Sequence, residues 1–346
     1  MDPNEHTDMQ VIPQMPPKGL SQAAFPITRQ QVFSLQHQAV RDLAWSIWGH
    51  NLFALGGSDK TNLPGSAMPE EISQPDWPWL QQIDQHPETL NEYLKTRNNR
   101  LLGSYFENLW QFYFSHHPLF IRNYFNLQIQ DKQRTLGELD VLTEIQTGRH
   151  YHLELSCKFY LYHPPQKLWL GPQGNDRLDI KFEHSYQHQL NMSTSEHAHS
   201  AIRDKTPWQA ATDFSPFAIW RGCLFSPRNS MFDTSPPRWR GHWYHCSEFA
   251  ESTLFKDNHW HLLDKKFWLS PHLCEHPLTS HEALAQYIRQ HFPDNHYALM
   301  LARMEYQSDK QQWWEIERVM LVADDWPKDH KADSALIPAR PCKPPV

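Results

Sequence analysis

Two neighbouring segments of the chain alternate apolar and polar residues with the period of two that is typical of β-strands. In residues 151–159 every second position carries an apolar side chain or a cysteine, and residues 136–142 show a similar pattern. A short connection that contains Gly148 separates them, as in an antiparallel hairpin. The alternation predicts that one face of this hairpin is polar and gathers three charged residues, Asp140, Glu154 and Lys158.

The rest of the chain divides into segments with helical spacing and segments with strand spacing. Apolar residues three and four apart predict helices from Pro87 onward and over residues 30–49, 101–116, 176–190 and 281–291. Alternation predicts further strands over residues 124–130, 217–225, 297–306 and 313–322. The polar stretch 193–206 predicts a surface loop. This order of elements indicates an α/β protein with local antiparallel pairing instead of repeated strand–helix–strand units.

Changes in composition predict five regions along the chain. The first residues are rich in Pro and Gln with little apolar periodicity, which is typical of a disordered leader, and the last residues are again rich in Pro. The predicted regions are a leader (1–28), an N-terminal helical region (29–100), an α/β core (101–195), a C-terminal α/β extension (207–325) and a tail (326–346).

Composition and charge narrow the class of protein. At 346 residues with 39% hydrophobic content, the chain is long enough to bury a large core. Because no run reaches the length of a membrane span and the five cysteines show no paired spacing, we expect a reducing cytoplasm, no membrane partner and no disulfide framework. The net charge of −7 disfavours a generally basic nucleic-acid binder but allows a local basic groove. The sequence does not define an oligomeric state.

The three charged residues on the predicted polar face indicate metal-assisted chemistry. Two carboxylates supply the oxygen ligands of a hard divalent cation, and a neighbouring lysine neutralises charge that develops on a phosphate. Hydrolysis of a phosphodiester bond requires this combination, so the hairpin predicts a nuclease-like site. The alternative interpretation is an ordinary solvated sheet face whose opposite charges form a cross-strand ion pair.

The motifs around this hairpin resemble those of a known superfamily of enzymes. They include Tyr105-Phe-Glu-Asn-Leu-Trp110 before the hairpin, Gly137-Glu-Leu-Asp140 within it, and Leu153-Glu-Leu-Ser-Cys-Lys158 on its second strand. With the predicted order of helix, three strands, helix and strand, the chain resembles the PD-(D/E)XK nuclease superfamily. More closely, it is similar to a bacterial family with a domain of unknown function that is assigned to that superfamily. The resemblance covers most of the chain.

The resemblance implies a restriction-endonuclease-like core, with a mixed sheet flanked by helices, and roles for particular residues. The expected ligands of Mg²⁺, or of Mn²⁺ in its place, are Asp140, Glu154 and Glu107. Lys158 is expected to orient or activate the attacking water, so that the catalytic residues are Asp140, Glu154 and Lys158. The expected nucleic-acid-binding residues are Arg177, Lys181, Gln189 and Ser156. DNA is the expected partner, and RNA stays open because no base-reading element is recognisable.

One departure from the superfamily pattern concerns spacing. The usual acid lies two residues before the lysine, where this chain has Ser156, and Glu154 lies four residues before Lys158. Four residues of regular strand span about 13 Å. Either the strand is irregular, or Ser156 holds the inner position and Glu107 or Glu138 supplies the second charge. The leading hypothesis is a metal-dependent nuclease, and the alternative is a non-catalytic nucleic-acid- or protein-binding module that retains the fold.

A second segment with the composition of a nucleic-acid contact lies between residues 220 and 240. It contains two tryptophans, Trp220 and Trp239, and four arginines, Arg221, Arg228, Arg238 and Arg240. Arginine and aromatic side chains together bind phosphates and stack on bases. The segment therefore predicts a phosphate-binding loop, with ordinary solvated loop charge as the alternative interpretation.

Overall fold

The computed structural model describes residues 27–52, 68–132, 134–209, 212–228, 240–276, 278–293 and 295–327. Almost all of the predicted leader and tail lies outside these residues, as do Arg238 and Trp239 of the predicted phosphate-binding loop.

Ten strands of the described residues form one mixed sheet. They are β1 (Phe120–Asp131), β2 (Arg134–Ile145), β3 (His150–His163), β4 (Leu168–Leu170), β5 (Ser215–Pro227), β6 (Arg240–His245), β7 (His259–Leu263), β8 (Leu273–Cys274), β9 (Leu299–Gln307) and β10 (Gln312–Val322). The main order is β1-β2-β3-β5-β6-β10-β9-β7, with β4 beside β3 and β8 beside β10. The central neighbours β3, β5, β6 and β10 run parallel, and the remaining pairs are antiparallel.

Helices flank this sheet, so the predicted mixed α/β class is confirmed. Before the sheet come α1 (Arg29–Ser34), α2 (Gln38–Trp48), α3 (Glu70–Ser73), α4 (Trp77–Gln85), α5 (Glu88–Lys95) and α6 (Leu102–His116). Between β4 and β5 come α7 (Leu178–His184), a π-helical turn (Ser185–Gln189), α8 (Leu190–Met192) and α9 (Glu196–Lys205). Later come α10 (Cys246–Glu251), α11 (Thr253–Lys256), a 3₁₀ turn (Lys265–Phe267) and α12 (His281–His291).

The prediction of a surface loop over residues 193–206 is wrong, because α9 occupies this stretch. Ser195 begins the helix by accepting a hydrogen bond from the Ala198 backbone N–H, as an N-cap serine does. Ala198 and Ile202, four residues apart, are buried against apolar residues of β1 and β2. Two such residues are enough to pack a short helix against the sheet. Because the other positions are mostly polar, the sequence shows no clear helical spacing of apolar residues.

The single helix predicted over residues 30–49 is two helices, α1 and α2. The backbone N–H groups of Gln36 and His37 in the break donate to the Asp84 carboxylate at 2.8 and 3.0 Å. This side chain of α4 satisfies donors that a continuous helix would have used internally, so a contact distant in sequence stabilises the break.

A buried polar network fixes α6, the helix that carries Glu107, relative to the rest of the molecule. Asp42 of α2 is 1% exposed, and its carboxylate accepts from the Tyr105 hydroxyl of α6 at 3.0 Å. The Ser270 hydroxyl and backbone N–H also donate to it, at 2.6 and 3.1 Å. The network therefore links the N-terminal helices to the C-terminal part of the chain. The predicted boundary between core and extension lies between β3 and β5, which are neighbours in the sheet, and the domain division stays a prediction.

Candidate active site

Asp140 and Glu154 lie where strands β2 and β3 part. The β2–β3 ladder pairs Glu144 with His150 at one end and Val141 with Leu153 at the other, and it does not extend to the next pair of positions. Beyond this point β2 continues along β1, whereas β3 continues along β5. The Leu155 backbone N–H, which has no β2 carbonyl opposite it in the ladder, donates to Asp140 Oδ2 at 2.8 Å. The Asp140 carboxylate therefore lies in the opening of the hairpin.

The β1 side of Asp140 is also irregular. Phe125 pairs with Val141 and Leu127 with Leu139, and the residue between the β1 partners, Asn126, has a φ of 54°. A left-handed residue within a strand is strained, although Asn tolerates this conformation better than most residues. Gln111 of α6 donates to Asn126 Oδ1 at 3.0 Å and holds the irregular position. Both neighbours of β2 thus depart from a regular ladder at the level of Asp140.

Side chains of two residues contact the Glu154 carboxylate, one at each of its oxygens. His152 Nε2 lies 2.8 Å from Oε1, and Gln189 Nε2 donates to Oε2 at 2.9 Å. His152 is fully buried and Glu154 is 3% exposed. Alternation along β3 had placed both on a polar face, but the face is covered here because the π-helical turn that ends at Gln189 packs over it.

Burial raises the pKa of both carboxyl groups. The pKa of Asp140 is raised to about 8, first by burial and then by the nearby charge of Glu154, and the Leu155 backbone N–H offsets part of this. The pKa of Glu154 is also raised to about 8 by burial, and the Asp140 backbone N–H opposes the shift. Two carboxylates held close together in a partly desolvated opening favour a cation between them, because a cation removes their repulsion.

Glu107 and Lys158 are connected to this pair through the electrostatic effect of their charges. Burial raises the pKa of the Glu107 carboxyl, the charge of Glu138 raises it further, and the charge of Lys158 lowers it. The charge of Glu107 in turn raises the pKa of Asp140. Four residues are therefore linked by the effects of their charges on one another's pKa: Asp140, Glu154, Glu107 and Lys158.

The spacing between Glu154 and Lys158 is that of a regular strand. The β3–β5 register runs without a shift from Glu154, opposite Ala218, to Lys158, opposite Gly222. A bulge in β3 therefore does not bring these two side chains together. The alternative, in which Ser156 holds the inner position and Glu107 or Glu138 supplies the second charge, stays a prediction.

Gly222 makes the close approach of β5 to Lys158 possible. Its φ of 129° is rare for residues with side chains, and a Cβ there would lie 1.7 Å from the Lys158 carbonyl oxygen. We expect Gly222→Ala to lower the free energy of unfolding by about 1–3 kcal/mol, measured by urea denaturation. Gly103→Ala is the matched control, since a Cβ at Gly103 meets no atom within 4 Å. Equal stability of the two variants would contradict the strain argument.

The predicted nucleic-acid-binding residues occupy different environments. Arg177 and Lys181 are exposed at the beginning of α7, and the Arg177 guanidinium forms an ion pair with Asp179 at 2.6 Å. Ser156 is half-buried on β3, and Gln189 is bonded to Glu154.

The interpretation of Arg221 as part of a phosphate-binding loop is wrong. Arg221 lies on β5, is 2% exposed and donates to the carbonyl oxygens of Ser46 and Ile47 at 2.9 and 2.7 Å. These carbonyls belong to the last turn of α2, whose C-terminal end carries the negative end of the helix dipole. Arg221 is therefore a buried helix cap. Its sequence context, beside Trp220 at a segment rich in arginine, gave no sign of this burial.

His152 is the residue of this site that the sequence analysis left without a role. Its pKa is lowered to about 4 by burial, and its Nδ1 is buried without a hydrogen-bond partner. Its position two residues before Glu154, on the same face of an alternating strand, is the feature of the sequence that indicates a place in this site.

Within the described ranges, no group of three or more His, Cys, Asp or Glu side chains is arranged to hold a metal ion. The carboxylates of Asp140 and Glu154 are oxygen donors of the type that Mg²⁺ prefers. This ion is commonly bound by one or two carboxylates and takes its remaining oxygens from water and substrate phosphates. The donor set consists of hard carboxylate oxygens, which also suits Mn²⁺.

No helix in the described part of the chain is both long and apolar enough to cross a membrane.

Comparison with known proteins places the chain in a family. Neither the curated proteins nor the solved structures include a significant match. A family model described as a domain of unknown function, DUF1853, matches residues 41–322. This match extends over most of the chain, from α2 to the end of β10, and the chain therefore belongs to the DUF1853 family.

Proposed function

We propose that this protein is a metal-dependent nuclease that hydrolyses phosphodiester bonds, with DNA as the favoured substrate. The observation that carries the proposal is the pair of partly desolvated carboxylates, Asp140 and Glu154, at the opening of the β2–β3 hairpin. Their mutual repulsion and raised pKa values make the opening a favourable place for a divalent cation. Lys158 on the same strand adds the positive charge that a phosphate substrate needs.

The order of elements around the pair supports a PD-(D/E)XK-like core. Helix α6 precedes the three antiparallel strands β1, β2 and β3, and the helical segment α7–α9 then leads to β5, which runs parallel to β3. This is the order that the resemblance of the motifs implied, and the carboxylates lie on the second and third strands as it requires. The PD-(D/E)XK assignment is part of the proposal.

Each side chain near the opening has a distinct task in the proposed reaction. Asp140 and Glu154 would hold Mg²⁺ or Mn²⁺, with Glu107 as a further carboxylate at the border. When bound, the ion lowers the pKa of a coordinated water and neutralises charge on the scissile phosphate. Lys158 would hold a phosphate oxygen or orient the attacking water, and it needs no direct contact with Glu154 for this.

The exposed cations of α7 would give the substrate an electrostatic contact. Arg177 and Lys181 project from the first turns of this helix, and cations near a metal site bind phosphates without reading bases. RNA is the other substrate to be tested, because its phosphate backbone offers the same contacts.

Cleavage of labelled single- and double-stranded DNA and RNA tests the proposal. The wild type should cut at least one substrate with Mg²⁺ or Mn²⁺ and none in EDTA. Lys158→Met should cut about 100- to 1,000-fold more slowly, as expected for loss of a group that stabilises charge in the transition state. Lys310→Met, in the exposed turn between β9 and β10, is the control and should cut like the wild type.

Two outcomes would contradict the nuclease proposal: cleavage that persists in EDTA, or a Lys158→Met variant as active as its control. Binding of nucleic acid without cleavage would favour the alternative, a non-catalytic binding module. That alternative draws support from Ser156 at the usual acidic position.

A further inference from the structure

We propose that His152 and Gln189 are positioning residues that hold the Glu154 carboxylate in the orientation needed to bind the metal ion. This inference rests on the proposed function of the site. It gives a role to His152 and assigns Gln189 to the orientation of a carboxylate instead of to nucleic acid. We call the three side chains the Glu154 clamp.

The clamp fixes the carboxylate from both sides. His152 Nε2 lies 2.8 Å from Oε1, and Gln189 Nε2 lies 2.9 Å from Oε2. The two oxygens of a carboxylate have four lone pairs in all, so with three donors, counting the Asp140 backbone N–H, one lone pair is still available to a cation. Two donors on two oxygens prevent rotation of the carboxylate plane. The clamp therefore leaves binding capacity on Glu154 while removing its freedom to turn.

The protonation pattern of His152 fits a donor to Glu154. A neutral imidazole has one N–H group and one unprotonated nitrogen. Nε2 faces a carboxylate oxygen, so the proton belongs on Nε2, and Nδ1, which is buried without a partner, is the unprotonated nitrogen. This tautomer leaves no N–H group buried without an acceptor, which is the costlier arrangement.

An unusual piece of backbone delivers Gln189 to the clamp. It is the last residue of the π-helical turn Ser185–Gln189, and such turns are rare and occur often at functional sites. The same helical segment packs directly on β2, because a Cβ at Gly137 would lie 2.2 Å from the Met192 methyl carbon. The helical segment that carries Gln189 is therefore in contact with β2, the strand that carries Asp140.

A purely structural role explains the clamp less well. A buried hydrogen-bonded pair can often be replaced by apolar side chains without loss of stability. Here the clamp instead keeps the Glu154 carboxylate next to Asp140. The charge of Glu154 raises the pKa of Asp140 and so disfavours its ionised form. Groups that bond to metal ligands orient those ligands, and their loss typically weakens metal affinity about 10- to 100-fold.

Binding of Mn²⁺ in the absence of substrate, measured by electron paramagnetic resonance, tests this inference. His152→Leu and Gln189→Leu should each weaken Mn²⁺ binding about 10- to 100-fold. His152→Gln should retain most of the affinity, because its amide nitrogen can take the position of Nε2. The double variant His152→Leu/Gln189→Leu should lose less than the product of the two single effects, since both act through one carboxylate. His86→Leu, at the exposed end of α4, is the control.

The outcomes separate this inference from the nuclease proposal. If His152→Leu and Gln189→Leu bind Mn²⁺ like the wild type and only their melting temperatures fall, the clamp is structural and the inference is wrong. If His152→Leu does not fold, Gln189→Leu decides in the same way. A wild type that binds Mn²⁺ through the clamp without cutting nucleic acid would overturn the nuclease proposal alone. A wild type that binds no Mn²⁺ would overturn both.

Discussion

Replacement of Asp140 by asparagine should reduce metal-dependent cleavage about 1,000-fold or more without weakening the fold. Asparagine keeps an oxygen that accepts from the Leu155 backbone N–H, so the opening of the hairpin should be preserved. It removes the negative charge that the metal ion needs, and the amide oxygen is a weaker ligand. Initial rates of cleavage at saturating Mg²⁺ measure the effect, with Asp309→Asn in the exposed β9–β10 turn as the control.

The same substitution should make the metal-free protein more stable at alkaline pH. At pH 8.5 the wild type must hold a largely ionised Asp140 beside Glu154, and burial disfavours this charge. Asparagine removes both the repulsion and the desolvation of the ion, so the free energy of unfolding should rise by about 1–3 kcal/mol. An inactive Asp140→Asn variant that is also strongly destabilised would attribute the lost cleavage to misfolding, and an active variant would exclude Asp140 as a metal ligand.

The proximity of Asp140 and Glu154 could be predicted because it follows from local rules. A period of two fixes which side chains share a face of a strand, and the short connection with Gly148 makes β2 and β3 neighbours. The shared strand face and the short connection each involve residues fewer than 20 positions apart. The mixed α/β class follows in the same way from the order of helical and strand-like segments.

Other parts of the site depend on contacts that no local pattern contains. Gln189 reaches Glu154 only because a π-helical turn shifts the helix register, and an apolar stripe with ordinary spacing does not reveal such a turn. Arg221 looks like a loop cation because its partners, the carbonyls of α2, lie about 175 residues earlier in the chain. Burial of β3's polar face likewise depends on where the next helix packs.

In the absence of metal, the free energy of unfolding should fall as the pH rises from about 6.5 to 8. Asp140 and Glu154 have pKa values raised to about 8 in the folded protein, far above those of free carboxyl groups. Between these values the folded state keeps protons that the unfolded state has released. Stability is therefore lost as the pH rises through the folded pKa, by up to about 1.4 kcal/mol per pH unit for each proton. Urea denaturation in EDTA measures the slope.

Below pH 6.5 buried histidines act in the opposite direction. The pKa values of His152 and His272 are lowered to about 4 by burial, so below pH 6.5 the unfolded state takes up protons that the folded state does not. Between about pH 4.5 and 6.5 these two histidines offset the two carboxyl groups, so the free energy of unfolding should change little with pH. The loss of stability above pH 6.5 therefore reports on the carboxylates.

Magnesium should remove the alkaline loss, because the ion binds the ionised carboxylates of the folded protein and stabilises it by mass action. Saturating Mg²⁺ should thus raise the melting temperature more at pH 8 than at pH 6. Asp140→Asn and Glu154→Gln should each flatten the slope in EDTA and reduce the response to Mg²⁺, whereas Asp309→Asn should leave both unchanged. If the double variant Asp140→Asn/Glu154→Gln keeps the wild-type slope, other groups carry the pH dependence. If it also keeps the Mg²⁺ response, the metal binds elsewhere, and the hairpin opening is not the metal site.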